Sequence, residues 1–395
     1  MSAITGSRRL VFVGLLFTAM GAATLAAPSL GILATFIIDD LEISRSLLGW
    51  VIAANVVLAA VLSPLIGRVI DHIGGKIGLV LVFAISAVAF AIFGLAPAVG
   101  VLFVASAIAA IGQSGANPST NKLIGEDLPP GERGVTTGIK QSGVQASISV
   151  AGVVLPTAAI AFGWRGAMLL LVLLPVVGAV IALVVLPPSE RAATAARDAS
   201  APLPRSIPWL ATYGLIIGFA GAVTFWIPLY AEETLGLSPR IGGLAVTVVA
   251  FTAFAARILW ARTAERRHDF LGPLGTMAIL AVFASALLLA ATGWTWLLWP
   301  GVVLTGASSS AWNSVGMLAV IDEAGAATGR ASGIVLLGFL TGLGIGPPLY
   351  GATVDATGSY TAMWIISMAA AAVTVGLVWL WRRSLADEGS PVAPN

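Results

Sequence analysis

Apolar runs of about 20 residues or more recur along almost the whole chain, separated by short polar turns. The first run, Leu10 to Ile38, follows Arg8 and Arg9 and is too long for the apolar region of a signal peptide. Only 10% of the residues are charged, whereas about a quarter are charged in a soluble domain. Because a lipid-embedded backbone must satisfy its own hydrogen bonds, the sequence predicts an all-α membrane protein.

The runs predict twelve transmembrane helices. We place them at about residues 10–38, 47–70, 76–96, 99–124, 134–161, 164–187, 208–231, 240–262, 271–292, 295–320, 328–355 and 359–381. With the N-terminus inside the cell, 15 of the 20 Lys and Arg residues fall on the inner side, and only Arg45, Arg165 and Arg240 fall on the outer side. The positive-inside rule therefore predicts a multi-pass protein of the inner (cytoplasmic) membrane with both termini cytoplasmic.

A polar stretch rich in Pro, Ala and Ser divides the chain. It predicts an N-terminal six-helix half at 1–187, a cytoplasmic linker at 188–207 and a C-terminal six-helix half at 208–395. A shift of 194 residues superposes Gly49 on Gly243, and a shift of 195 superposes Gly143 on Gly338 and Gly163 on Gly358. Two pseudo-symmetric halves that hold a substrate between them near the membrane midplane are typical of secondary transporters.

The turn from Ser63 to Leu79 contains the spacing G-x3-D-x2-G-G-K-x-G, from Gly67 to Gly78. It resembles the signature loop between the second and third helices of the major facilitator superfamily, although His72 follows the aspartate where that family usually has Arg or Lys. The resemblance implies a gating role for this turn at the cytoplasmic surface; the alternative is a charged loop that only orients two helices. The residues that we assign to gating at this surface are Gly67, Asp71, Lys76, Arg133 and Glu265.

Small residues in the eleventh helix follow the pattern Gly333-x8-Gly342-x3-Gly346-Pro347. This spacing resembles a glycine and proline motif that antiporters of the superfamily carry in the fifth helix. We assign Gly342, Gly346 and Pro347 to gating as well, because small residues let helices approach and rock against each other. The alternative is ordinary helix packing.

Two basic residues fall inside predicted helices, Lys140 in the fifth and Arg257 in the eighth, whereas the 18 acidic residues fall in loops or at helix ends. A buried cation is costly and usually meets a partner. With no carboxylate nearby in sequence, we expect an anionic substrate to be that partner, because a guanidinium fork matches the two oxygens of a carboxylate. The alternative is that both side chains snorkel to the inner surface.

The run Ala256 to Ala261 resembles the eighth-helix region of monocarboxylate transporters, in which an arginine binds the carboxylate. Ala253 stands where that family has an aspartate, so the resemblance implies anion binding without the associated proton handling. The run Gly138 to Gln145 resembles bacterial cyanate-permease-like carriers, and the chain as a whole is similar to monocarboxylate and oxalate–formate carriers. The predicted substrate-binding residues are Arg257, Lys140, Gln141, Gln145, Asn117, Asn55, Tyr230, Trp312 and Asn313.

These patterns favour a secondary active transporter that moves a small organic anion, with a monocarboxylate preferred, by alternating access. Whether transport is coupled to a proton or to a counter-anion stays open. We expect a monomer in the lipid bilayer, without cofactor, metal or nucleic acid. The alternative is a multidrug or metabolite exporter of the same fold. A membrane receptor or an enzyme is not supported, because the sequence contains no metal-ligand cluster, nucleophile–base pair or nucleotide loop.

Overall fold

The computed structural model describes residues 7–186, 203–267, 269–324 and 328–389, and these ranges are almost entirely helical. Spans 1 to 6 form the N-terminal half: Ser7–Thr24, Ala26–Ile32 and Ala34–Leu41 (span 1), Arg45–Ile73 (span 2), Gly75–Gly94 (span 3), Val99–Asp127 (span 4), Pro130–Leu170 as far as Gly163 (span 5), and the rest of that helix with Leu173–Val185 (span 6). Spans 7 to 12 form the C-terminal half: Ser206–Gly221, Ala222–Trp226 and Ile227–Glu233 (span 7), Pro239–Arg267 (span 8), Leu271–Ala290 (span 9), Thr295–Leu297, Leu298–Ala307 and Asn313–Ala324 (span 10), Thr328–Thr357 (span 11) and Thr361–Gly389 (span 12). Most of the predicted linker, residues 188–202, lies outside the described residues.

Nine of the described helices are long and apolar enough to cross a membrane, and a pair bent by 55° at the start of the chain makes a tenth crossing. One of the nine, Val135–Val185, has 51 residues. At 1.5 Å per residue it would be about 76 Å long, more than twice the thickness of a hydrocarbon core. Gly163 interrupts it with a φ of 73°, so this stretch forms two spans. Span 10 is divided between two shorter helices, and the arrangement agrees with the twelve predicted spans.

The internal repeat is visible as pairs of equivalent glycines. Gly163 and Gly358, which the repeat superposes, have φ values of 73° and 65° and reverse the chain between spans 5 and 6 and between spans 11 and 12. A Cβ on Gly143 would collide with the carbonyl oxygen of Phe17 in span 1, and one on its equivalent Gly338 would collide with that of Ala211 in span 7. Each half therefore packs its first and fifth spans through the same glycine.

The two halves are joined at the end of the bundle that contains Arg45, which we call the Arg45 end. Arg45 pairs with Glu233 at 2.6 Å and with Asp355 at 3.3 Å, both from the C-terminal half. The Asp355 carboxylate also accepts hydrogen bonds from the backbone N–H groups of Arg45 and Ser46. It thus caps the first turn of span 2, where a negative charge is favourable.

Close backbone approaches join the halves on the same side of the molecule. An added Cβ on Gly49 in span 2 would lie 2.6 Å from the Pro347 carbonyl in span 11. In the pseudo-symmetric contact, the Cβ of Gly243 in span 8 would collide with the Gly152 carbonyl in span 5. The Thr247 hydroxyl also donates to the Ser149 carbonyl across this contact at 2.8 Å. The repeat therefore brings equivalent glycines to two interfaces between the halves.

The loops at the Arg45 end are stabilised within the N-terminal half as well. Arg165 donates to Asp40 at 2.6 Å, and the indole N–H of Trp164 donates to the same oxygen at 3.2 Å. The Arg165 guanidinium also lies over the Trp164 ring, 4.4 Å from the ring centroid, so the cation and the indole hold each other in place. These contacts fasten the start of span 6 to the end of span 1.

Candidate substrate-binding site

A cavity of about 370 Å³ lies between the two halves. Spans from both halves contribute to its walls, which include many apolar side chains such as Val249 and Phe339. The polar residues that line it are Thr24, Ser63, Gln113, Ser114, Asn117, Gln141, Gln145, Thr224, Arg257, Ser309, Ser310 and Asn313. Among the described lining residues there is one cation, Arg257, and no carboxylate.

Arg257 reaches from span 8 to the break in span 10. Its Nε and Nη2 groups donate to the Ser310 carbonyl oxygen at 3.3 and 3.0 Å. That oxygen is available because the N–H of Ser314 bonds to Ala311 instead of to Ser310. Within the described residues, Arg257 makes no ion pair with a carboxylate, so its charge faces the cavity balanced only by a carbonyl dipole. The side chain is thus directed into the protein, and snorkelling does not describe it.

Trp260 lies one turn from Arg257 on span 8 and meets the same break. Its indole N–H donates to the Ala307 carbonyl at 2.8 Å, at the last residue of the helix Leu298–Ala307. Both side chains donate hydrogen bonds to carbonyls that have no helical N–H partner at the break. Non-helical backbone at membrane depth requires such replacement partners. Arg257 therefore has a structural contact in addition to a position in the cavity.

Lys140 does not line the cavity, and this corrects the prediction that it places a second charge there. The side chain is fully buried. Its ammonium donates to the Asn121 Oδ1 at 2.6 Å, to the Thr120 hydroxyl at 2.8 Å and to the Asn117 Oδ1 at 3.2 Å. Three neutral oxygens of span 4 thus accept hydrogen bonds from the three ammonium donors. Lys140 therefore has hydrogen-bond partners in the protein and does not require an anionic substrate as its partner.

The amides of spans 4 and 5 line the cavity as predicted from their sequence spacing. The Oδ1 of Asn117 accepts from both Lys140 and the Gln141 Nε2, the latter at 3.0 Å. With its oxygen so engaged, Asn117 keeps its NH₂ group as a donor for a ligand. The Gln113 Oε1 and the Asn313 Oδ1 are buried and accept no hydrogen bond within the described part of the chain. The cavity therefore offers acceptors as well as donors.

Residues 11–329 match the family model described as the Major Facilitator Superfamily. This match covers well over half of the chain. The chain belongs to the major facilitator superfamily. As a member of that family it is a multi-pass membrane transporter.

Solved structures share the fold over nearly the full length. A bacterial homologue of the human lysosomal transporter Spinster, solved in an inward-facing, occupied conformation, aligns with a TM-score of 0.78 and 16% identity over 98% of this chain and 100% of that chain. A mutant of the nucleoside transporter NupG aligns with a TM-score of 0.74 and 14% identity over 95% and 99% of the two chains.

A curated relative gives a more local match. The hexuronate transporter of Bacillus subtilis (strain 168) is 27% identical over 157 residues, which cover 39% of this chain. The matched stretch spans 36% of that relative's length, about a third of it.

Three predicted binding residues of this transporter pack elsewhere in its halves. The Asn55 amide is fully buried and donates to the Ser106 carbonyl at 3.2 Å. The Tyr230 hydroxyl donates to the Leu288 carbonyl at 2.6 Å, and Trp312 packs between Tyr213 and Phe339. Polar and aromatic side chains at helical spacing also form contacts between helices within one half, and these three residues make such contacts and do not line the cavity. Arg257, Asn117, Gln141, Gln145 and Asn313 do line the cavity.

The residues assigned to gating at the signature turn lie at the Asp71 end, opposite the Arg45 end. Asp71 is exposed in the last turn of the helix Arg45–Ile73, not beyond the helix as we expected, and its backbone carbonyl accepts from Lys122. Lys76 donates to the Leu186 carbonyl. Gly67 faces Pro118 of span 4.

The remaining gating residues of this end also meet their own half or solvent. The Arg133 guanidinium donates to the carbonyls of Leu128 at 2.9 Å and Gly125 at 2.8 Å, at the end of span 4. Glu265 is exposed. These contacts are consistent with a turn that is not engaged with the other half in this structure.

The glycine row of span 11 has two kinds of contact. Gly342 and Gly346 press against Leu215 and Ala222 of span 7, within the same half. Pro347 meets Gly49 of span 2 across the halves, and its carbonyl accepts from the Trp226 indole at 3.1 Å. Of these three residues, only Pro347 meets the other half in this structure, and the gating role assigned to them stays a prediction.

Proposed function

We propose that this transporter carries a small organic anion with a carboxylate group, bound by Arg257 in the central cavity and moved by alternating access. The observation that carries the proposal is the position of Arg257. It is the one cation among the described lining residues, and no carboxylate lies among them. A guanidinium can offer two parallel N–H donors to a carboxylate, and such charge-assisted bonds are the strong ones. The NH₂ group of Asn117 is a second donor in the same cavity.

The acceptors of the cavity favour a carboxylate that also carries hydroxyl groups. The Gln113 Oε1 and the Asn313 Oδ1 are buried without a donor in the described residues, and such groups are costly unless a ligand or water satisfies them. The partial match to a hexuronate transporter supports the same chemistry, because a hexuronate combines one carboxylate with several hydroxyls. We therefore prefer a hydroxylated monocarboxylate within the proposed class.

The contacts between the halves support the assignment of this structure to one state of the transport cycle. They join spans 2 and 11 and spans 5 and 8 toward the Arg45 end, which the positive-inside rule assigns to the outside. Closure at the Arg45 end corresponds to a cavity accessible from the cytoplasm. In the alternate state, Arg45 would leave Glu233 and Asp355, and the Asp71 end would close.

Export of lipophilic compounds is the second candidate, favoured by the apolar part of the cavity wall. A cationic drug would require a carboxylate in the membrane, which the described lining residues do not supply. A ligand screen separates the two candidates. The thermal stability of the purified protein is measured with organic acids, with and without hydroxyl groups, and with lipophilic cations. Stabilisation by acids supports the proposal, and stabilisation by cations alone contradicts it.

A further inference from the structure

A second cavity, of about 320 Å³, lies within the C-terminal half and shares no lining residue with the central one. It is a groove between spans 8, 9 and 12 near the Asp71 end. We call it the span 9 groove; it is lined by Trp260, Thr263, Arg267, Gly272, Pro273, Gly275, Thr276, Ile279, Val375, Val378, Trp379 and Arg382. Several of these side chains, including those of Ile279 and Trp379, are exposed on the outside of the bundle. The groove therefore opens toward the membrane and not toward the substrate.

Small residues of span 9 provide the floor of the groove. A Cβ on Gly272 would collide with the Asp269 carboxylate, and a Cβ on Gly275 would lie 3.4 Å from Val378 of span 12. A larger side chain at Gly275 would fill the space between the two spans. Span 9 thus leaves room for a ligand beside span 12.

Two arginines flank the polar end of the groove. Arg267 is the last residue of span 8 and makes no ion pair with the described residues. Arg382 of span 12 has one acidic neighbour, Asp269, at 3.9 Å, and its side chain is 53% exposed. At that distance, and with this exposure, the pairing leaves most of the guanidinium donors available. Two positive charges with free donors form a site for a phosphate group.

The other end of the groove is apolar. Ile279 lies seven residues beyond Gly272 on span 9, about 10 Å deeper in the membrane at 1.5 Å per residue. Val375 and Val378 of span 12 form the opposite wall. Trp379, half exposed and covered by the Arg383 guanidinium at 3.6 Å, lies between the polar and apolar parts. Tryptophan is typical of the level of the lipid headgroups.

We propose that the span 9 groove binds an anionic phospholipid of the surrounding bilayer. Its headgroup phosphate lies between Arg267 and Arg382, and an acyl chain follows Ile279 and Val375. Basic pockets between transmembrane helices on the cytoplasmic side are suited to anionic headgroups. The depth and the apolar walls of the groove favour a lipid over a free phosphate ion, which would use the polar end alone.

Native mass spectrometry of the full chain in detergent tests this proposal. The probes are phosphatidylglycerol, phosphatidylcholine with the same acyl chains, and inorganic phosphate. We expect retention of phosphatidylglycerol over phosphatidylcholine, reduced by roughly fivefold for each arginine in Arg267→Gln and Arg382→Gln. Arg266→Gln is the matched control, because Arg266 is an exposed arginine of the same helix end that does not line the groove.

A second variant keeps the test independent of the charges. Gly275→Leu fills the apolar part of the groove and should reduce phosphatidylglycerol retention while both arginines remain. The melting temperature in lipid-free detergent confirms that each variant is folded. Equal retention of the two lipids by the parent protein would overturn the proposal. Unchanged retention of phosphatidylglycerol when Arg267→Gln and Arg382→Gln are combined in one protein would overturn it as well. Displacement of the lipid by millimolar inorganic phosphate would also overturn it, because the site would then be a plain anion site.

Discussion

Glu233 accepts a hydrogen bond of 2.6 Å from the guanidinium of Arg45, although the two residues lie 188 positions apart and in different halves of the bundle. The Tyr360 hydroxyl donates to the other Glu233 oxygen at 2.7 Å, and Arg45 also contacts Asp355. The side chains of the three charged residues are only 23 to 28% exposed. This network is the polar part of the interface that closes the Arg45 end.

Removal of the network should favour opening of the Arg45 end. In Glu233→Gln the ion pair is lost, and a pair of this exposure contributes on the order of 1 kcal/mol. The population that is open at the Arg45 end should therefore rise about fivefold.

A single introduced cysteine can measure this opening. The chain contains no cysteine, and Val57→Cys introduces one against Gly344 of the other half. Labelling of this cysteine by an impermeant maleimide measures the opening. Arg240→Gln, on the same predicted side and without an ion pair in the described residues, should leave labelling unchanged; equal labelling in both variants would contradict the interpretation.

Gly163 and Gly358, two of the glycines with a positive φ, should be more sensitive to substitution than an ordinary helical glycine. No heavy atom lies within 4 Å of a Cβ added at Gly163 or Gly358, so only the positive φ opposes alanine. Gly163→Ala and Gly358→Ala should each lower the free energy of unfolding by about 1–2 kcal/mol. Gly376 has equal space but an ordinary helical backbone, and Gly376→Ala should be neutral or stabilising. Thermal unfolding in detergent compares the three variants, and equal effects would show that φ is not the cause.

Asp71 should affect transport more than folding. Its exposed carboxylate lies at the C-terminal end of span 2, where a negative charge is not favoured by the helix dipole. Asp71→Asn should therefore leave expression near normal. If the turn closes the Asp71 end during the cycle, as its sequence predicts, uptake into proteoliposomes should fall. Unchanged uptake would identify the turn as an orienting loop only.

Lys140 should contribute to stability and only indirectly to binding. Lys140→Met would leave the oxygens of Thr120 and Asn121 without their donor in a buried place, at a cost of about 1–3 kcal/mol. It would also remove one of the two donors to the oxygen of the Asn117 amide that lines the cavity. We expect a clear loss of thermal stability and a smaller loss of anion affinity than for substitutions of Arg257. A stable variant that has lost anion binding would show that Lys140 meets the substrate directly.

The spans and their repeat could be predicted from the sequence, because lipid imposes long apolar helices and duplicated halves keep their glycines. The position of Arg257 in the cavity could be predicted too, since few places in a membrane protein tolerate a cation. The partners of Lys140 could not. The expected partner was an anionic substrate, whereas the acceptors are neutral groups of another span, 19 to 23 residues away in sequence.

Two further features leave little signal in a single sequence. The break in span 10, which exposes the Ser310 carbonyl to Arg257, coincides with three serines in a stretch that otherwise continues as helix. The contact between Arg45 and Asp355 joins residues 310 positions apart. Such pairings depend on how the two halves assemble, and hydrophobic periodicity along one helix carries no information about them.

The central claim is that Arg257 binds the anion. The most direct test is the affinity of the protein and its variants for the organic acid that most stabilises the protein. Isothermal titration of the purified protein compares Arg257→Lys, Arg257→Ala and Trp260→Phe. The last variant loses one hydrogen bond to the break in span 10 but keeps the cation. Arg257→Lys keeps the charge without the fork, so binding should weaken by roughly 1.5–3 kcal/mol. Arg257→Ala should weaken binding further, and Trp260→Phe should bind like the parent. Binding of the acid by Arg257→Ala with the parent's affinity would contradict the claim, and Arg257 would then serve only the carbonyl of Ser310.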